Sequence, residues 1–145
     1  MYKHILIATD GSELAGKAVA AAFALARELG AQMTAVTVTE PWTALVSGEA
    51  TMVFSVEDYE KSANENAARI LAGVSSLARK ADINCATAHA KDQYPADGIL
   101  DTAKKNNCDL IVMASHGRRG LGRLLLGSVA VDVLTHSSLP VLICR

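Results

Sequence analysis

At 145 residues, half of them hydrophobic, the chain fits one domain with a single core, and a domain of that size buries roughly 70% of the surface its unfolded form exposes. Fourteen basic residues against fifteen acidic give a net charge of -1, which excludes whole-protein attraction for nucleic acid or an anionic membrane and leaves Arg118, Arg119 and Arg123 as one short basic patch. Cys85, Cys108 and Cys144 are odd in number and show no C-x-x-C or Cys/His metal spacing, so neither a disulfide framework nor a zinc site is expected, and a reducing, cytoplasmic setting fits best.

The opening MYKHILIATD is too short an apolar stretch for a signal peptide, and no run nears the ~20 apolar residues of a membrane span. An unprocessed chain with no membrane partner is expected. Ile5 to Ala8 reads as a first strand closed by Thr9-Asp10-Gly11-Ser12, a turn that also supplies N-cap residues. Leu14, Ala18, Ala21, Ala22, Leu25 and Leu29 then fall at helical spacing from Glu13 onward, and Gly30 stops the helix from the C′ position. Met33 to Val38 is the second strand.

Glu40 to Phe54 has no helical period and is long for a connection, which makes it a candidate functional loop. Ser55 with Asp58 three residues on resembles a capping box, opening a long helix with the apolar stripe Tyr59, Ala63, Ala67, Ile70, Leu71, Val74 and Leu77. A weaker third strand spans Cys85 to Ala90, and a third helix spans Ala96 to Lys104. Leu110 to Met113, Ser128 to Thr135 and Val141 to Cys144 complete the series as strand, helix and strand.

Five strands alternating with four helices imply an α/β fold, a doubly wound parallel sheet with helices on both faces and right-handed crossovers. Ligands of such sheets sit beyond the carboxyl ends of the strands, where strand order reverses. The ends to inspect are Ala8 to Asp10, Val38 to Glu40 and Met113 to Gly117.

The segment Asp109 to Ser128 has the parts of an anion corner. A buried-strand run ends at small residues, a loop carries three glycines and three arginines, and a helix starts at Gly127-Ser128 with its N–H groups open. A turn that merely caps a helix needs fewer of these. The stretch Gly11 to Lys17 matches G-x-x-x-x-G-K, but Ala18 replaces the hydroxyl that a P-loop offers magnesium. Gly120-Leu121-Gly122 lacks the third glycine of a dinucleotide fingerprint. Asp10 has two readings, a turn or cap residue and a ribose ligand; His116 likewise reads as an exposed loop histidine or as a phosphate donor. No nucleophile, oriented base and oxyanion site can be assembled from named positions.

Ala114-Ser115-His116-Gly117, nine residues, then Gly127-Ser128 resembles the G-x2-G-x9-G-[ST] signature of nucleotide-binding universal stress proteins. The opening ILIATDGSE, the closing LPVLICR and the element order extend the likeness over residues 1–145 as one such domain. The resemblance implies a Rossmann-like sheet ordered 3-2-1-4-5 and a site for ATP or a related adenine nucleotide, with or without Mg2+. It places Ala8, Thr9, Asp10, Val38 and Met113 around the nucleoside. Ala114, His116, Gly117, Arg118, Arg119, Gly127, Ser128 and Val129 fall around the phosphates.

The resemblance also implies a homodimer through Val141, Leu142 and Ile143, an unidentified protein partner in a stress response, and at most weak ATP hydrolysis. Two other readings stand beside a nucleotide-binding regulator: an enzyme that turns over ATP or transfers its phosphate or adenylate, and a dimeric interaction module without ligand. Ala114 departs from the signature's first glycine. If that position needs a positive φ, alanine costs roughly 1 to 2 kcal/mol, which weakens binding about tenfold or more when the strain arises only in the bound form; if it needs only close approach, one methyl is a mild obstacle.

Overall fold

The computed structural model describes residues 1–45, 55–117 and 126–145. Strands β1 (His4–Ala8), β2 (Gln32–Thr39), β3 (Cys85–Lys91), β4 (Leu110–Ala114) and β5 (Val141–Cys144) form one sheet in the order β3-β2-β1-β4-β5. All four pairings are parallel, for example Ile7 beside Ala35 and beside Val112. The order reverses between β1 and β4.

Alternation along the strands divides the core in two. Ile5, Ile7, Met33, Ala35, Leu110 and Val112 face one side, under helices α1 (Glu13–Leu29) and α3 (Val56–Lys80). Leu6, Val36, Ile111 and Met113 face the other, under α4 (Pro95–Lys105) and α5 (Ser128–His136). Every residue of β4 is buried, as expected of a central parallel strand covered on both faces.

The helix starts follow their caps. Ser12 Oγ accepts from Ala15 N (3.2 Å) and Ser55 Oγ from Asp58 N (3.1 Å), while Gly30 ends α1 in the left-handed region at φ 64°. Because α1 begins at Glu13 with Ser12 as its cap, Gly16 and Lys17 lie inside a helix and form no phosphate loop. At the opposite end of the sheet, the Asp109 carboxylate accepts from Lys3 N (2.9 Å) and His4 N (3.1 Å), tying the start of β1 to β4. Burial pushes that carboxyl's pKa up, but the N–H donors outweigh it and hold the group below the ordinary carboxylate value.

Three expectations need correction. Five helices are present among the described residues, because Trp42–Leu45 forms one turn (α2) inside the stretch expected to be loop. Pro41 sets it up, its carbonyl accepting from Ala44 N at 2.9 Å, and a single turn is too short to show a period; residues 46–54 lie outside the described part. In α1 the buried face is Ala15, Ala18, Val19, Ala22, Phe23 and Ala26, with Ala21 and Leu29 exposed. A helix that is alanine on nearly every side carries little phase information, so the facing strands decide which side is buried. In α3 the stripe closes on Ala78 and leaves Leu77 51% exposed, since position 78 continues the 3.6-residue spacing of Ala67, Leu71 and Val74.

Candidate functional site

The carboxyl ends of β1, β2 and β4 open into a cleft of about 750 Å³. Ala8, Thr9 and Asp10 enter it from β1, Val38 from β2, Met113, Ala114, His116 and Gly117 from β4, and Gly127, Ser128 and Val129 from α5. These are all the sequence-identified positions that fall on described residues, and the fold brings them to one place; Arg118 and Arg119 lie outside the described part. A second groove, of about 440 Å³, lies between α3 and the outer edge of β3. It contains none of these positions and no helix start, so the chemistry converges on the larger cleft.

Gly117 and Gly127 are there for space. A Cβ on Gly117 would collide with the carboxylate of Asp10, and one on Gly127 would stand 3.1 Å from His116 Cα and from Ser115 O. Gly127 has an ordinary φ of -67°, and its N–H is already bonded to Ser115 O at 2.6 Å. Its contribution is therefore close approach, which packs the start of α5 against the end of β4.

That packing leaves a set of donors. The first bond inside α5 runs from Val131 N to Gly127 O (3.1 Å), so the N–H groups of Ser128, Val129 and Ala130 have no partner within the helix. Gly127 supplies no side-chain cap to cover them. Three backbone N–H groups at the positive end of a helix dipole suit an anion.

Ala114 is the last residue of β4, paired with Cys144, and 8% exposed. It is not among the residues with positive φ, which among the described residues are Asp82, Asp92 and Asn107 apart from glycines. An alanine meets this backbone without strain. Ser115 N donates to Cys144 O at 2.7 Å immediately after it, so the strand pairing carries on to the loop.

Asp10 holds the turn and also lines the cleft. Its Oδ1 accepts from Ser12 N (2.9 Å), fixing the turn before α1, while Oδ2 lies against Gly117 across the cleft floor. Val38 is backed by Gly98 of α4, where a Cβ would come within 2.8 Å of both Val38 methyls. With Met113 and Ile99, Val38 makes an apolar slot beside the polar corner.

Sequence reasoning missed one wall of the cleft. Tyr59, Asn66, Arg69 and Ile70 line it from α3, and Pro95 and Ile99 from α4. The Tyr59 hydroxyl donates to the Glu40 carbonyl at 2.7 Å, tethering the start of α3 to the end of β2. Burial, then the nearby charges of Glu40 and Asp92, pushes its pKa up, so it remains a donor. Tyr59 and Ile70 belong to the apolar stripe of the long helix in the sequence; the signal that could show more is that both sit on the helix face that reaches past the end of the sheet. His89 Nε2 bonds Thr39 Oγ1 (2.6 Å) and His4 Nε2 bonds Thr34 Oγ1 (2.8 Å). Among the described residues no cluster of three His, Cys, Asp or Glu could hold a metal ion, and no helix is long and apolar enough to cross a membrane.

The universal stress protein family model matches residues 1–145. Universal stress protein MJ0531 of Methanocaldococcus jannaschii is 33% identical over 147 residues, which cover 100% of this chain and 83% of that protein. The solved structure of MJ0577 from the same organism matches with a TM-score of 0.83 at 25% identity, over 99% of this chain and 96% of the other. That of the Archaeoglobus fulgidus universal stress protein in complex with dAMP matches in fold, with a TM-score of 0.70 at 23% identity over 99% and 98%.

Proposed function

The chain belongs to the universal stress protein family, and we propose that it binds ATP or a related adenine nucleotide in the cleft between β1, β2 and β4. In this reading the base lies in the slot of Val38 and Met113, Asp10 takes a ribose hydroxyl, and the phosphates meet the open N–H groups of Ser128 and Val129. The observation that carries it is the convergence of those donors with an apolar slot at the one place where strand order reverses. The dAMP complex of the Archaeoglobus protein supports an adenine ligand for a site of this fold.

The residues present fit such a ligand. The donors are neutral backbone groups, so phosphate charge enters without a buried countercharge to displace, and magnesium would enter held mainly by the phosphates themselves. Bound nucleotide would then bias the conformation or partners of a cytoplasmic homodimer during stress. The dimer forms through β5, the last strand of the sheet, which pairs with β4 along one edge and carries the exposed Leu142. The test of binding is twofold: denature the purified protein and chromatograph the extract, then titrate the refolded or ligand-stripped protein with ATP by calorimetry. Adenine nucleotide in the extract and a saturable isotherm are expected; absence of both overturns the reading. Sedimentation at micromolar concentration tests the dimer, and a monomer there rejects it.

A further inference from the structure

The sheet ends on one side at β3, whose far edge meets no other strand in the order β3-β2-β1-β4-β5. Met33 N of β2 donates to Asn84 O at 3.0 Å, and along a parallel ladder successive residues turn their N–H and C=O to opposite neighbours. The even-numbered residues of β3 therefore bond β2. Cys85, Thr87, His89 and Lys91 turn their backbone groups outward, and Ala86 and Thr87 are exposed.

Beside that edge lies the groove of about 440 Å³. From α3 it is lined by Ala68, Ala72 and Ser75, small side chains on one face of the helix, so a strand laid along β3 has room there for side chains of its own. From β3 come Thr87, His89 and Lys91. His89 is bonded through Nε2 to Thr39 Oγ1, and burial, then the charge of Lys91, pushes its pKa down, so it is neutral at pH 7. The charge of the groove is Lys91, which is exposed and has no ion-pair partner among the described residues.

These features favour one occupant. β3 contains no carboxylate, so a second copy pairing here would bring another lysine and nothing to neutralise it, and a lysine on a strand edge works against such self-pairing. We propose that the outer edge of β3 docks an extended segment of a partner protein, which adds to the sheet as a further strand and sets a carboxylate side chain on Lys91. Main-chain bonds to the outward groups supply the affinity, and alternate side chains under α3 supply the selection. β3 is seven residues long, so at ~3.3 Å per residue the matching segment spans roughly 23 Å. The groove lies apart from the residues of the nucleotide cleft, and docking there stands whether or not the cleft binds its ligand.

A phage-displayed library of random peptides about ten residues long, panned on the full-length protein, supplies the probe. Enriched sequences should alternate β-branched or aromatic residues with polar ones and carry Asp or Glu at one position. The commonest of them, synthesised and titrated by fluorescence anisotropy, should bind Thr87→Pro about tenfold more weakly than the wild type, because proline removes an outward N–H and leaves the ladder to β2 intact. Lys91→Glu should weaken binding about threefold, and changing the peptide's carboxylate to the amide should weaken wild-type binding but not that of the variant. In the labelled wild type the Thr87 and His89 amides should shift by NMR as peptide is added; if proline prevents folding, these shifts and the Lys91→Glu comparison decide. Panning without strand-like enrichment, or peptides that bind Lys91→Glu as tightly as the wild type and leave those amides unmoved, overturns the proposal. So does assembly of the protein with itself that Thr87→Pro or Lys91→Glu abolishes, which would make a second copy the occupant.

Discussion

Replacing Ala114 by glycine restores the family signature at its first position, and the structure predicts that this weakens the protein without improving the site. Ala114 is a buried strand residue with an ordinary φ. Glycine there loses about 0.5 to 1 kcal/mol of backbone entropy relative to alanine, and removal of the buried methyl loses about 0.8 kcal/mol more. The sum, roughly 1.5 kcal/mol, corresponds to a fall in Tm of roughly 5 °C for a domain of this size. ATP affinity should stay within about a factor of three, because no strain is present for glycine to relieve. Thermal denaturation and calorimetry on the two proteins together make the assay. A gain of tenfold or more in affinity, the size expected if the bound form demanded a positive φ, would refute the reasoning.

Three further substitutions probe other parts of the fold. Gly98→Ala sets a gain of about 1 kcal/mol in helix propensity against an overpacking penalty of about 1 to 3 kcal/mol where its Cβ meets the two Val38 methyls at 2.8 Å; chemical denaturation should show net destabilisation, and calorimetry weaker nucleotide binding as Val38 is pushed toward the slot. Gly16→Ala, in α1 with nothing within 4 Å of the new methyl, should raise stability by up to about 1 kcal/mol and leave binding unchanged. Asp109→Asn should lower stability at neutral pH. Since the folded-state pKa of this carboxyl is depressed, its contribution is present above the unfolded value of about 3.9 and disappears as pH falls through the folded one, so the difference from wild type should close in denaturation curves at the acid end.

The strand and helix order was legible because each buried strand is a short apolar run closed by turn residues, and Ser12, Ser55 and Gly30 mark helix ends by chemistry that acts within a few residues. The phase of α1 was not, because a helix with alanine on most sides has no local reason to bury Ala15 in place of Leu14; that choice belongs to the strands beneath it. The site divides in the same way. Met113 to Gly117 and Gly127 to Val129 are close in sequence and carry a pattern. The α3 wall, the Gly98 support under Val38 and the meeting of Asp10 with Gly117 are contacts between residues tens of positions apart or more, and no local pattern encodes them. Residue 114 shows the limit most plainly, since its φ follows from pairing with Cys144 and not from its neighbours in the chain.

The central claim is that this cleft holds an adenine nucleotide by the start of α5. A crystal structure of the protein grown with ATP and magnesium tests it most directly. The expected result is phosphate oxygens within hydrogen-bond distance of the Ser128 and Val129 amides, with the base against Val38 and Met113. Nucleotide bound elsewhere on the molecule, or crystals at saturating ATP with the cleft holding only water, would contradict it.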